Sequence, residues 1–114
     1  MFMNSTRQNK VARLIQKELG ELFQREARNL FGGALITVTI VRISPDLAEA
    51  KIYLSIFGVK NPEDIMKMVR TNYKIIRAKL GEKVKNQLRI VPNLSFFIDD
   101  SLDYAEKIDQ LLKQ

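Results

Sequence analysis

Apolar residues recur at steps of three and four between residues 6 and 29, at Val11, Leu14, Ile15, Leu19, Leu22 and Phe23. That spacing lays one apolar stripe along a helix and predicts a first amphipathic element. Ser5 or Thr6 stands at its N-cap, and Gly32-Gly33 stops it in a loop. The period then shortens to two. Residues 35–43 are rich in β-branched side chains and predict a strand, with Thr37 and Thr39 alternating with Ile36, Val38 and Ile40. The adjacent pair Ile40-Val41 breaks the alternation, as a bulge does. After a turn at Ser44-Pro45-Asp46-Leu47, residues 48–56 alternate cleanly. Ala50, Ile52, Leu54 and Ile56 face one way, and Lys51, Tyr53 and Ser55 the other. So short a connection makes the two strands an antiparallel hairpin.

Asn61-Pro62 followed by Glu63 and Asp64 is a helix start, and a helical pattern runs on to residue 87. Its apolar line is Ile65, Met68, Val69, Tyr73, Ile76, Leu80 and Val84. One straight helix of that length outreaches a small domain, so a kink or split is expected. Gly81 and Asn72 are both candidates for it. Residues 94–98 form a short third strand behind Pro92. Asp99-Asp100-Ser101 leads into a last helix with Leu102, Ala105, Ile108, Leu111 and Leu112 on its apolar side. The order helix, strand, strand, kinked helix, strand, helix predicts an α+β domain with helices against one face of a three-stranded sheet. No repeat, linker or low-complexity tract divides the 114 residues, so one domain over 1–114 is expected.

Composition narrows the chemistry. The chain has no Cys and no His, which removes disulfides, thiolate metal sites and the commonest general base. Hydrophobic residues make up 46%, which argues against intrinsic disorder. No apolar run is long enough to span a bilayer and no signal peptide is visible, so a cytoplasmic location without membrane contact is expected. The net charge is +6, and it is unevenly spread. Residues 63–92 carry eight basic and three acidic groups, whereas 93–114 carry two and five. Positive charge gathered on two helical segments is the pattern of an anion-binding surface.

Three stretches carry a family resemblance. They are Thr6-Arg7-Gln8-Asn9-Lys10-Val11-Ala12 with the helix that follows, the hairpin Ile43-Ser44-Pro45-Asp46-Leu47-Ala48-Glu49-Ala50-Lys51-Ile52-Tyr53, and Leu88-Arg89-Ile90-Val91-Pro92-Asn93-Leu94-Ser95-Phe96-Phe97-Ile98-Asp99-Asp100-Ser101-Leu102. Together they resemble the ribosome-binding factor A family, over nearly the whole chain. The resemblance implies a KH-like domain of type II topology that binds the small ribosomal subunit and its rRNA late in maturation and supports rRNA processing. It implies no catalysis and no cofactor, and an assembly GTPase that promotes release in some lineages. The Gly-x-x-Gly loop of true KH domains is absent, as is usual in this family. The family's Ala-x-Gly kink aligns with Asn72-Tyr73-Lys74, which does not match it.

The candidate RNA contacts are cations. Lys67, Arg70, Lys74 and Arg77 follow one another at steps of three, four and three, which makes a stripe opposite the apolar line. Each can meet a phosphate and release a counterion. The bland alternative is a solvated helix face on which Glu63 pairs with Lys67. Lys79, Lys83, Lys85 and Arg89 extend the tract, and Arg7, Lys10 and Arg13, with Lys17 beyond them, stripe the first helix. Tyr53 and Phe57 are candidates for base stacking, against the alternatives that Tyr53 covers the outer sheet face and Phe57 ends its strand in the core. Asp99, Asp100 and Asp103 could form a metal site or an acid/base pair, but the simpler reading is that Asp100 or Ser101 caps the last helix and the other acids favour its positive end. No phosphate-loop motif is present. With no apolar stripe left over once the core is assigned, a monomer is expected. Two other functions stay open: a general single-stranded RNA module, and a protein-interaction module with a basic face.

Overall fold

Ser5 opens the first helix, α1 (Thr6–Arg25), with a reciprocal cap: its hydroxyl accepts the Gln8 N–H at 3.0 Å, and the Gln8 side-chain oxygen accepts the Ser5 N–H at 2.9 Å. Gln8 Nε2 also donates to Ile43 O at 2.9 Å, which ties the start of the helix to the first strand. The computed structural model describes residues 5–99, and the expected last helix lies outside them. α1 does not run on to residue 29. The backbone leaves helical geometry at Glu26, and a single turn, α2 (Ala27–Leu30), follows. The break brings Phe31 back into the core, fully buried with its ring 5.0 Å from that of Phe23.

Strands β1 (Leu35–Ile43) and β2 (Glu49–Phe57) pair antiparallel, as the alternation predicts. The bulge falls one residue earlier than the sequence pattern places it. Thr39 is the extra residue, between Val38↔Leu54 and Ile40↔Tyr53. Inserting it there keeps Ile36, Val38 and Ile43 buried toward the helices and leaves Ile40 outside, 40% exposed. Strand β3 (Asn93–Ile98) joins the other side of β2 in parallel, so β2 is central in the order β1-β2-β3. A parallel pair needs a crossover, and α3 (Pro62–Thr71) and α4 (Tyr73–Val84) supply it. Asn61 caps α3 through Oδ1, and Pro62 occupies its first turn.

Asn72, not Gly81, divides the long helix. Its backbone (φ −93°, ψ 17°) leaves the helix, and its side-chain amide donates to Met68 O at 2.9 Å and Leu30 O at 3.3 Å. The Met68 carbonyl, which also accepts the Asn72 N–H at 3.0 Å, thereby takes a second donor, and the Leu30 bond anchors the break to α2. Gly81 stays helical and serves packing, because a Cβ there would lie 3.4 Å from Val91. α4 ends at Val84, three residues before the helical pattern gives out.

α1 lies over β1, α3 over β3 and β2, and α4 packs against α1. Between them lie Ile15, Leu19, Phe23, Ile52, Leu54, Val69, Ile76 and Leu80, all fully buried. On α3 the core residue is Met66, fully buried, whereas Met68 is 38% exposed and lies over Gly32. The opposite face of the sheet carries Leu35, Ile40, Phe57 and Phe97, all exposed. That corrects the expectation that no apolar surface is left over, and it removes the ground on which a monomer was expected. Phe57 lies on this outer face and not in the core.

Truncating Met66 to Ala should therefore cost about 3 kcal/mol, and truncating Met68 less than about 1 kcal/mol. Urea unfolding of the two variants checks the assignment; equal losses would contradict it.

Candidate nucleic-acid interface

The crossover helices place the central cations. Lys67 and Arg70 lie on α3, Lys74 and Arg77 on α4, with the Asn72 break between the pairs. Lys67 and Lys74 are exposed, and neither makes an ion pair among the described residues, so Glu63 does not neutralise Lys67. Arg70 is exposed and reaches the Phe96 carbonyl of β3 through Nη2 at 3.4 Å. Arg77 is different. It is half-buried, donating from Nη2 to Val91 O at 2.6 Å and from Nε to Pro92 O at 3.2 Å. Its guanidinium clamps the loop that leads into β3. Lys74 and Arg77 share a shallow concavity of about 560 Å³ with Tyr73, Ala78, Gly81 and Val91.

The other cations separate into further groups. Arg7 and Lys10 of α1 meet Arg89 around a groove of about 610 Å³ between α1, the β1–β2 turn and the segment after α4. The groove's walls are aliphatic, built from Val11, Leu14, Leu47, Leu88, Ile90 and Pro92. Leu47 is held there at φ 63°, a left-handed conformation that costs a leucine about 1–2 kcal/mol. The turn that holds it is tightly bonded. The Ser44 hydroxyl donates to Asp46 Oδ1 at 2.6 Å, Ala48 N–H donates to the same oxygen at 3.0 Å, and Glu49 N–H donates to Ser44 Oγ at 3.0 Å. The Ser44 hydroxyl, and after it the Ala48 amide, hold the Asp46 carboxyl below its ordinary range. Lys79 faces the α1–α2 junction, where Nζ lies 3.5 Å from Glu26 Oε1. Arg13, Lys83 and Lys85 are exposed and line neither concavity.

Several positioning residues have no charge pattern to announce them. Gln16 Nε2 donates to Val38 O and Thr39 O, both at 3.3 Å, and so fastens α1 to the bulge. The Tyr73 hydroxyl accepts the Leu94 N–H at 2.9 Å, at the entry to β3. Asp99 accepts from Thr39 Oγ1 at 2.6 Å; Asp100 and Asp103 lie outside the described residues. Phe97 stacks on Tyr53 with ring centroids 5.4 Å apart. The consecutive Phe96-Phe97 pair is the sequence signal for it, since neighbours in a strand point to opposite faces.

Helices on one face of a sheet whose third strand runs parallel to the central one, with a basic crossover, define a KH-like α+β protein. The crystal structure of ribosome-binding factor A from Thermus thermophilus shares the fold, with a TM-score of 0.66 at 22% identity over 80% of this chain and 94% of that one. So does a homology model of the T. thermophilus factor fitted into a cryo-EM map of its complex with 30S, with a TM-score of 0.62 at 24% identity, covering 78% of this chain and 91% of that one. The family model for ribosome-binding factor A matches residues 7–112. Ribosome-binding factor A of Cytophaga hutchinsonii is 46% identical over 112 residues, covering 98% of this chain and 84% of the relative. That of Flavobacterium psychrophilum is 42% identical over 111 residues, covering 96% and 85%. The chain belongs to the ribosome-binding factor A family.

Arg77→Ala should destabilise the fold by about 2 kcal/mol, since two carbonyls lose a charged donor. Lys74→Ala should stay within about 0.5 kcal/mol of the parent in the same denaturant titration. The Asp46 contribution runs with pH in a fixed direction. Its folded pKa lies below the unfolded one, so the stabilisation is complete above the unfolded value and fades as pH falls through the folded one. An NMR titration of the Ala48 amide should show its midpoint below that of an unhindered aspartate, and Asp46→Asn should abolish the step.

Proposed function

We propose that the protein binds the small ribosomal subunit during its maturation, contacting rRNA phosphates with a basic face and catalysing nothing itself. The observation that carries this reading is the pair Lys67 and Lys74. They are exposed cations without ion pairs among the described residues, on either side of the break at Asn72. The Asn72 amide bonds and the Arg77 clamp hold the helices and the β3 entry around them, so phosphate contacts form with little ordering cost. Family membership supports the same reading, as does the 30S complex of the T. thermophilus relative.

Within this reading, Lys67, Arg70 and Lys74 form the central contact, and Arg7, Lys10 and Arg89 a second one at the groove. Arg13, Lys83 and Lys85 add long-range attraction. Arg77 and Lys79 act mainly on the fold, one through the loop clamp and the other through Glu26. Binding of this kind supports rRNA processing by holding the subunit in a form on which other enzymes act, and an assembly GTPase fits as the agent of release.

The test is sedimentation with purified small subunits, large subunits and free rRNA across a salt series. The expected result is comigration with small subunits alone, near one-to-one and surviving moderate salt. Lys67→Glu with Lys74→Glu should weaken it at least tenfold, and each neutralised phosphate contact should reduce the salt slope by about 1. Equal binding to both subunits that collapses as salt rises would overturn the assignment.

A further inference from the structure

The sheet's outer face has no role in the contacts proposed above. Alternation along the strands puts Tyr53 and Phe57 of β2 and Phe97 of β3 on it together. Phe97 is 40% and Phe57 37% exposed. Tyr53 and Phe97 form a stacked pair, inclined by 29°. Phe57 stands four residues from Tyr53 on the same strand, about 13 Å away. Two aromatic positions thus lie along one line. Ile40, cross-strand from Tyr53, and Leu35, opposite Phe57, supply aliphatic borders.

Cations flank the aromatics. Lys51 is two residues from Tyr53 on the same face, about 7 Å along the strand, and Arg42 is its cross-strand partner. Both are exposed and neither makes an ion pair among the described residues. Among the described residues, the carboxylates on this face are hydrogen-bonded: Glu49 accepts from Asn93 Nδ2 at 3.2 Å, and Asp99 from Thr39 Oγ1 at 2.6 Å. The groove at the β1–β2 turn makes a useful contrast. No aromatic residue lines it, so it offers no aromatic ring for a base to lie on.

We propose that this outer face is a second RNA contact, a stacking platform for unpaired bases. One base lies on the Tyr53–Phe97 pair and a second near Phe57, while Arg42 and Lys51 meet the backbone phosphate beyond the first. Flat rings on an open sheet bind bases with little sequence preference, because every base has a π-face. Flanking cations favour a polyanion over an apolar protein segment, which would have to desolvate them. The platform faces away from α1, α3 and α4, so single-stranded and helix-face contacts can be made at once. The inference rests on the RNA-binding reading and extends it to an unpaired segment.

The test uses the full chain and two fluorescent probes, a uridine 12-mer and a 12-base-pair RNA duplex, with affinity read by anisotropy at fixed salt. Phe97→Leu and Phe57→Leu keep apolar bulk and remove the ring. Each should lower affinity for the single strand about tenfold and leave duplex affinity unchanged. Phe97→Tyr should restore parental binding, and Lys51→Gln should weaken binding and flatten its salt dependence. Thermal melts confirm that each variant is folded, and Lys51→Gln, at an exposed position, tests the platform independently of ring packing. The reverse pattern would overturn the proposal: leucine variants and Lys51→Gln binding the single strand like the parent, while Lys67→Glu with Lys74→Glu loses it. The helix-face reading would then stand alone. A parent protein that binds neither probe would also overturn the platform, and sedimentation with small subunits would decide the wider reading separately.

Discussion

The inner face of the sheet, with Ile36, Val38, Ile52, Leu54, Leu94 and Phe96, has to be kept from water, and three strands leave it too wide for one helix. α1 covers the β1 side and α3 the β3 side. Much of the remaining architecture follows from that requirement. The parallel β3 is reached by a crossover, and the crossover is also the second cover. Its continuous pattern must bend so that Ile65, Met66 and Val69 in one half and Ile76, Leu80 and Val84 in the other all reach the core. The bulge at Thr39 keeps β1 in phase with the same core on both sides of the extra residue.

The break at Asn72 also shapes the basic surface. Without it, Lys67, Arg70, Lys74 and Arg77 would be four equal members of one stripe. In the structure, Arg77 on α4 meets the carbonyls of Val91 and Pro92, while Lys67 and Lys74 stay in solvent. A half-buried guanidinium with two of its five donors on main-chain carbonyls is held by the fold, whereas a solvated ammonium is not. The asparagine at the break fixes it through side-chain bonds to the Met68 and Leu30 carbonyls.

A sheet covered on one side leaves its other side to solvent. Natural sheets usually make that side polar, with clean alternation. This one keeps Leu35, Ile40, Tyr53, Phe57 and Phe97 there, with Arg42 and Lys51 at one end. Burial on the helix side does not require those residues, so their presence calls for a separate account. The groove at the opposite edge of α1 is similar in one respect: Leu47 is held there in a backbone conformation that a leucine adopts only when its surroundings impose it.

Over the described residues, the sequence by itself determined the element types, their order, the antiparallel hairpin and nearly all of the core, because hydrophobic period is a local property. It also marked the cations on α3, α4 and α1, and the three stretches that carry the family resemblance. It narrowed the helix break to Asn72 or Gly81 without choosing, since either fits the apolar line. Only the tertiary structure decided which. Asn72 bonds to Leu30, 42 residues away in sequence, and Gly81 stays helical with Val91 packed close to it. The same holds for the division of the cations. Arg77 and Lys74 are alike in a helical pattern, and what separates them is the loop at Val91 and Pro92, whose position no local spacing records. The outer aromatic face depended on the pairing of β2 with β3, because Tyr53 and Phe97 become neighbours only when that parallel register is set.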